Sequence, residues 1–195
     1  MIGPVVARWR DWSGQGLEHL VLEMRADHIL AESTIIGTTE AGNPFGLHYR
    51  IVCDSAWRTR ELEVSLIGGA RQIDLRGDGA GRWIEGSASP LPALNGAIDV
   101  DLSATPFTNT LPIRRLRLRC SESMDIVVVY VEAPSLAVTT ALQRYTCLEP
   151  GRRYRFQSLD SGFVRDIDID EQGLVTEYPG LFKRLQVGFE NLKEI

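Results

Sequence analysis

One run of the chain limits what it can fold into more than any other: IDVDLSATPFTNTLPIRRLRLR, Ile98 to Arg119. Ile98, Val100 and Leu102 fall on one face of a strand, and Asp99, Asp101 and Ser103 on the other. Leu116 and Leu118 alternate with Arg115, Arg117 and Arg119 in the same way. Folded antiparallel with Asp101 opposite Arg115, the ends also set Asp99 against Arg117 and Val100 against Leu116. The expectation is a hairpin with one apolar and one charged face. Pro106 and Pro112 stiffen its loop, Ala104 to Pro112. Thr105, Thr108, Asn109 and Thr110 furnish the loop with donors and acceptors, and Phe107 adds an aromatic surface. A rigid loop satisfying its own backbone and a polar recognition surface both fit that composition.

Elsewhere the pattern is short strands separated by turn signals. Strands are expected at Leu17 to Met24, near His28 to Ile36, at Leu47 to Asp54 and at Arg58 to Ile67. Further strands are expected at Met124 to Val131, Gln143 to Leu148, Tyr154 to Leu159, Val164 to Asp170 and Leu174 to Tyr178. Gly68-Gly69 and the glycines of Arg76 to Trp83 mark turns. Pro134 to Leu142 suits either strand or helical turn. Leu185, Phe189 and Leu192 have helical spacing, which predicts a short helix in the tail from Leu181 to Ile195. With no long amphipathic helix between strands, the fold class is mainly β: a meandering antiparallel sheet with one or two short helices. A faint echo between Tyr49 to Val64 and Tyr154 to Ile169 hints at duplicated strand–turn–strand units within one domain spanning 1–195.

The 195 residues can bury a sizeable core. A net charge of −5, mixed along the chain, argues against nucleic acid or an anionic membrane as partner. The N-terminus lacks a secretory pattern and the longest apolar run, Ile126 to Val131, cannot span a bilayer. Cys53, Cys120 and Cys147 are odd in number and have no metal-ligand spacing, so the expectation is reduced thiols in a cytoplasmic protein.

Chemistry-bearing clusters are few. Asp99 and Asp101 share a strand face with Cα atoms about 6.8 Å apart, which permits glycosidase-like hydrolysis. Their proposed arginine partners, however, would hold both ionised, the wrong state for a general acid. Asp166 to Gly173 is reminiscent of a calcium loop but has Glu171 where the sharp turn needs glycine. His19, His28 and His48 are scattered. Glu18 and His19 face opposite ways in a strand and cannot act together. Arg144, Arg152, Arg153 and Arg155 could meet a phosphate or simply guard an exposed edge. Neither a metal nor a cofactor is expected.

DLSATPFTNTLPIRRL, Asp101 to Leu116, resembles the signature of a bacterial family of glycolipid-binding proteins. So do GLEH from Gly16, YRI from Tyr49, WRTR from Trp57, QRYT from Gln143, LDSGF from Leu159, and GLV and YPGLF between Gly173 and Phe182. The resemblance implies a sheet curled on itself as a spiral roll or open half-barrel. It also implies a fold relationship to lipoprotein localisation factors, which hold acyl chains inside an unclosed barrel. The expected function is therefore to hold a glycolipid or another amphiphile in the concave face. Candidate ligand-binding residues, on positions matching the family's motifs, are Asp99, Asp101, Thr105, Asn109, Arg114, Arg115, Arg144 and Tyr145. Trp57 and Phe107 are candidate stacking surfaces. The alternatives are a glycolipid or glycoside hydrolase using Asp99 or Asp101, and a protein-interaction module without a small ligand. Oligomeric state is not legible.

Overall fold

The structure, a computed structural model, describes residues 3–86 and 89–186. Alternating burial along the described strands gives a single sheet of fifteen. In chain order these are β1 (Val5–Asp11), β2 (Leu17–Met24), β3 (His28–Thr38), β4 (Pro44–Asp54), β5 (Thr59–Leu66), β6 (Gln72–Gly77), β7 (Trp83–Glu85) and β8 (Ser89–Pro90). After a crossing segment come β9 (Asp99–Leu102), the helix α1 (Thr110–Leu116), β10 (Ser123–Glu132), β11 (Ala137–Glu149), β12 (Arg153–Ser158), β13 (Val164–Ile169), β14 (Val175–Tyr178) and β15 (Phe182–Arg184).

The sheet order is the chain order cut and rejoined: β8 back to β1, then β15 back to β9. β1 and β15 pair antiparallel, so the first and last strands meet in mid-sheet. Residues 91–98 cross between the two outer edges. There Gly96 N–H donates to Gly81 O at 2.8 Å and Trp83 Nε1 to Ala97 O at 2.7 Å. A Cβ on Gly81 would stand 3.0 Å from Gly96 Cα, so this approach requires glycine. The sheet curls over itself without closing into a barrel, as its meander of short strands predicts.

The segment expected as a hairpin folds otherwise. β9 pairs with β10, in parallel, with Asp99 beside Val128 and Asp101 beside Tyr130. Parallel neighbours need a crossover, and residues 103–122 supply it as a 3-10 turn at Phe107–Asn109 followed by α1. Pro112 lies in the first turn of α1, where the ring is tolerated. Arg117, at φ 50°, ends the helix. Thr110, Leu111, Pro112 and Ile113 are all buried, so α1 shows no amphipathic stripe and its sequence does not announce a helix.

α1 is a plug inside the roll. Leu111 and Phe107 belong to a large core with Trp9, Leu20, Tyr49 and Leu62, while Ile113 belongs to a smaller core with Tyr145, Phe156, Ile167 and Tyr178. Phe107 stacks on Tyr49 with 6.4 Å between centroids. The hollow expected for acyl chains is thus filled in its N-terminal half. Thr110 Oγ1 donates to Gly173 O at 2.9 Å, tying the plug to the β13–β14 turn. Gly173 has φ +82°, and an added Cβ would lie 2.8 Å from Arg114 Cδ. Gly173→Ala is expected to cost about 1–2 kcal/mol in chemical denaturation; an unchanged midpoint would show that the turn relaxes freely.

Two other expectations resolve here. The ambiguous stretch after Pro134 becomes the start of the long strand β11. In the tail, Phe182–Arg184 pairs with β1 as a strand rather than beginning a helix, and Phe189 and Leu192 lie outside the described residues. The calcium-like run begins in the interior strand β13, where Asp166 and Asp168 pair across to Arg155 and Arg153 at 2.7 and 2.6 Å. No helix among the described residues is long and apolar enough to cross a membrane.

Candidate functional site

Where the two cores meet, the roll stays open. A cleft of about 600 Å³ lies between them, floored by Asp101, Thr105, Asn109 and Gln143 and walled by Phe156, Phe163, Tyr178 and Phe182. The wall is a run of edge-to-face and tilted aromatic contacts, with Phe156 centroids 6.1 Å from those of both Phe163 and Tyr178. Asp160 and Ser161 lie on the rim, where Asp160 Oδ2 accepts from Leu142 N–H at 2.7 Å. An annex of about 230 Å³ shares Glu40, Ser103 and Phe182 with the cleft and has Glu18 at its base.

The floor is built from side chains brought together over long distances in sequence. Asp101 accepts from Thr108 Oγ1 at 3.0 Å and from Gln143 Nε2 at 2.6 Å. Burial pushes its carboxyl above the ordinary aspartate range, with those two hydrogen bonds opposing. Asn109 Oδ1 accepts from Tyr145 O–H at 2.9 Å, while its Nδ2 donates to Pro106 O. Gln143 Oε1 is buried without a partner among the described residues.

Glu18 occupies an inner-face position of β2 beside Leu20 and Leu22 and is 3 % exposed. Its Oε1 accepts three hydroxyl donors: Ser33 Oγ at 3.0 Å, Tyr49 O–H at 2.6 Å and Thr105 Oγ1 at 2.9 Å. Oε2 has no partner among the described residues. Burial pushes this carboxyl up to about 7, with the three hydroxyls pulling the other way. The same burial, with the Glu18 charge beside it, holds the Tyr49 phenol well above its usual value.

The residues singled out from sequence divide. Asp101, Thr105 and Asn109 line the cleft. Asp99 does not: it is fully buried and gripped by Arg115, whose Nε donates to Oδ1 at 3.0 Å and Oδ2 at 3.1 Å. Burial raises the Asp99 carboxyl and Arg115 opposes. The ion pair expected between Arg115 and Asp101 thus forms with Asp99, because a helix and not a strand presents the arginine. Phe107 and Tyr145 are buried beneath the floor. Trp57 is buried too, with the Arg114 guanidinium over its ring at 5.1 Å, and neither lines the cleft or annex. Arg144 faces outward, because the inner positions of β11 are Gln143, Tyr145 and Cys147, and it pairs with Asp125 at 2.7 Å. Glu18, Gln143 and the aromatic wall were not identified from sequence. The available signal was phase: Glu18 and Gln143 each share parity with buried neighbours, a polar group set into an apolar stripe.

A crystal structure of a DUF1089 family protein from Pseudomonas aeruginosa is 39% identical to this chain. The likeness covers 88% of this chain and 92% of that one, with a TM-score of 0.79. No curated protein matches. The model of the family described as "Putative glycolipid-binding" matches residues 6–184, from within the first strand to the end of the last, and the chain belongs to that family.

Proposed function

We propose that this protein binds the head group of a glycolipid in the cleft between its two cores. The observation that carries this reading is the cleft itself: about 600 Å³ left open, polar on its floor and aromatic on its wall, in a roll otherwise filled by α1. That volume lies within the usual range for small-molecule sites, and few placed polar groups amid apolar walls is their usual make-up. Aromatic faces stack on the C–H faces of a sugar, and Asp101, Thr105 and Asn109 are placed to meet its hydroxyls. The tail leaves along Leu17, Ile36 and Leu181, exposed large apolar side chains lining the annex and cleft. With Phe107 and Leu111 occupying the N-terminal interior, the protein reads heads rather than enclosing whole acyl chains. Free Cys53, Cys120 and Cys147 fit a reducing, cytoplasmic setting.

Titration with octyl glucoside and with glycosyl diacylglycerol in mixed micelles tests the reading. A ligand at 100 times its Kd stabilises by about 2.7 kcal/mol, which a melting curve resolves. Phe163→Ala is expected to weaken binding about tenfold by removing a stacking face. Unshifted melting across the panel would reject the proposal.

A further inference from the structure

We propose that the annex is a subsite for a protonated primary amine, seated on Glu18 Oε2, so that the preferred ligand is an amine-bearing amphiphile such as an amino-sugar glycolipid. This deepens the cleft reading and rests on it. The first observation is the uneven use of the Glu18 carboxyl. Three hydroxyls crowd Oε1, which leaves Oε2 without a partner among the described residues, in a residue 3 % exposed that lines the annex. A buried acceptor of this kind calls for a donor.

Gln143 gives the same message in the main cleft. One N–H of its amide goes to Asp101, and Oε1 is a second acceptor without a partner among the described residues. Both unmet groups therefore ask the ligand to donate. Charge decides which kind of donor. Asp11, Glu18 and Glu40 line the annex, Asp101 and Asp160 line the cleft, and among the described residues no lysine, arginine or histidine lines either. An anionic head, whether phosphate, sulfate or carboxylate, would meet only like charge there. An ammonium carries three N–H donors and the complementary charge. Phe45 and Phe182 on the annex walls offer it ring faces as well.

Among the described residues, the groups packed around Glu18 do not already supply a cation. β3 brings Ser33, β4 brings Tyr49 and the segment after β9 brings Thr105. Asp11 and Glu40 lie across the annex, and Arg184 of β15 is engaged, stacked on Trp9 and paired with Asp170 at 3.2 Å. Burial raises the Glu18 carboxyl, so an ammonium arriving at acid pH must displace its proton.

The test uses the full chain and three probes below their micellar concentrations: octyl glucoside, its 2-amino-2-deoxy analogue, and octylamine. At pH 7 the amino glucoside is expected to bind at least about tenfold more tightly than the neutral one. Octylamine affinity is expected to fall about tenfold per pH unit below pH 7, with proton release seen by calorimetry in buffers of different ionisation heat. Glu18→Gln removes both the preference and the slope. Wild-type slopes alone decide the matter should that variant fold poorly. If both glucosides bind equally and the octylamine response is flat, the subsite is overturned and the cleft reading survives. If octylamine alone binds with the expected slope, the subsite stands and the sugar reading falls. If none of the three binds, both fall together.

Discussion

Arg115→Ala is expected to destabilise the protein by about 3–5 kcal/mol in chemical denaturation at pH 8. Asp99 is fully buried where β9 meets α1, and Arg115 grips both its oxygens. Truncation leaves a desolvated carboxylate without a counter-ion, the case in which a broken pair costs most. The variant's Asp99 must then rise further in pKa and take up a proton. Its deficit should shrink as pH falls, because the folded state then binds a proton that the unfolded state lacks at neutral pH. Arg115→Lys should recover only part, since a point charge cannot reproduce the two-pronged grip. Asp99→Asn combined with Arg115→Met should recover more than either single change, because no charge is left stranded. A loss below about 1 kcal/mol, the level of an exposed pair, would show that water reaches Asp99.

That same pair shows how far the sequence could be read. Period-2 alternation and glycine turns were enough to place β2, β4, β5, β12 and β13, and their local hairpins supply most of the sheet. The parallel pairing of β9 with β10 was not legible, since nothing local marks a partner beyond a 20-residue crossover. Arg115, Arg117 and Arg119 imitated a strand because a plug helix buried on nearly every side has no stripe of its own. The cross-strand charge ladder anticipated there exists, but on the exposed face of β12 and β13, as Arg153–Asp168 and Arg155–Asp166. Asp101, Thr105 and Asn109 were found because they share one short segment. Glu18 was missed because its three partners stand 15, 31 and 87 residues away. Only its phase with Leu20 and Leu22 betrayed it.

Glu18→Gln is expected to stabilise the protein by about 3 kcal/mol more at pH 8 than at pH 4. The sign follows from where the proton sits. The folded carboxyl titrates at about 7 against an ordinary 4.5. Between those values the native state holds a proton that the unfolded chain has released, so wild-type stability from this group falls as pH rises. Above about pH 7 both states are ionised and the full burial cost is present; below about 4.5 both are protonated and it vanishes. Glutamine carries no such cost, so the two stability curves should diverge between those limits and run parallel outside them. Curves parallel from pH 4 to 8 would mean that Glu18 is solvated or already paired. A carboxylate that weakens the fold at neutral pH while leaving one oxygen unmet is the state that an arriving ammonium relieves. Saturating octylamine should therefore stabilise the wild type at pH 8 far more than at pH 4, and should do neither in the glutamine variant.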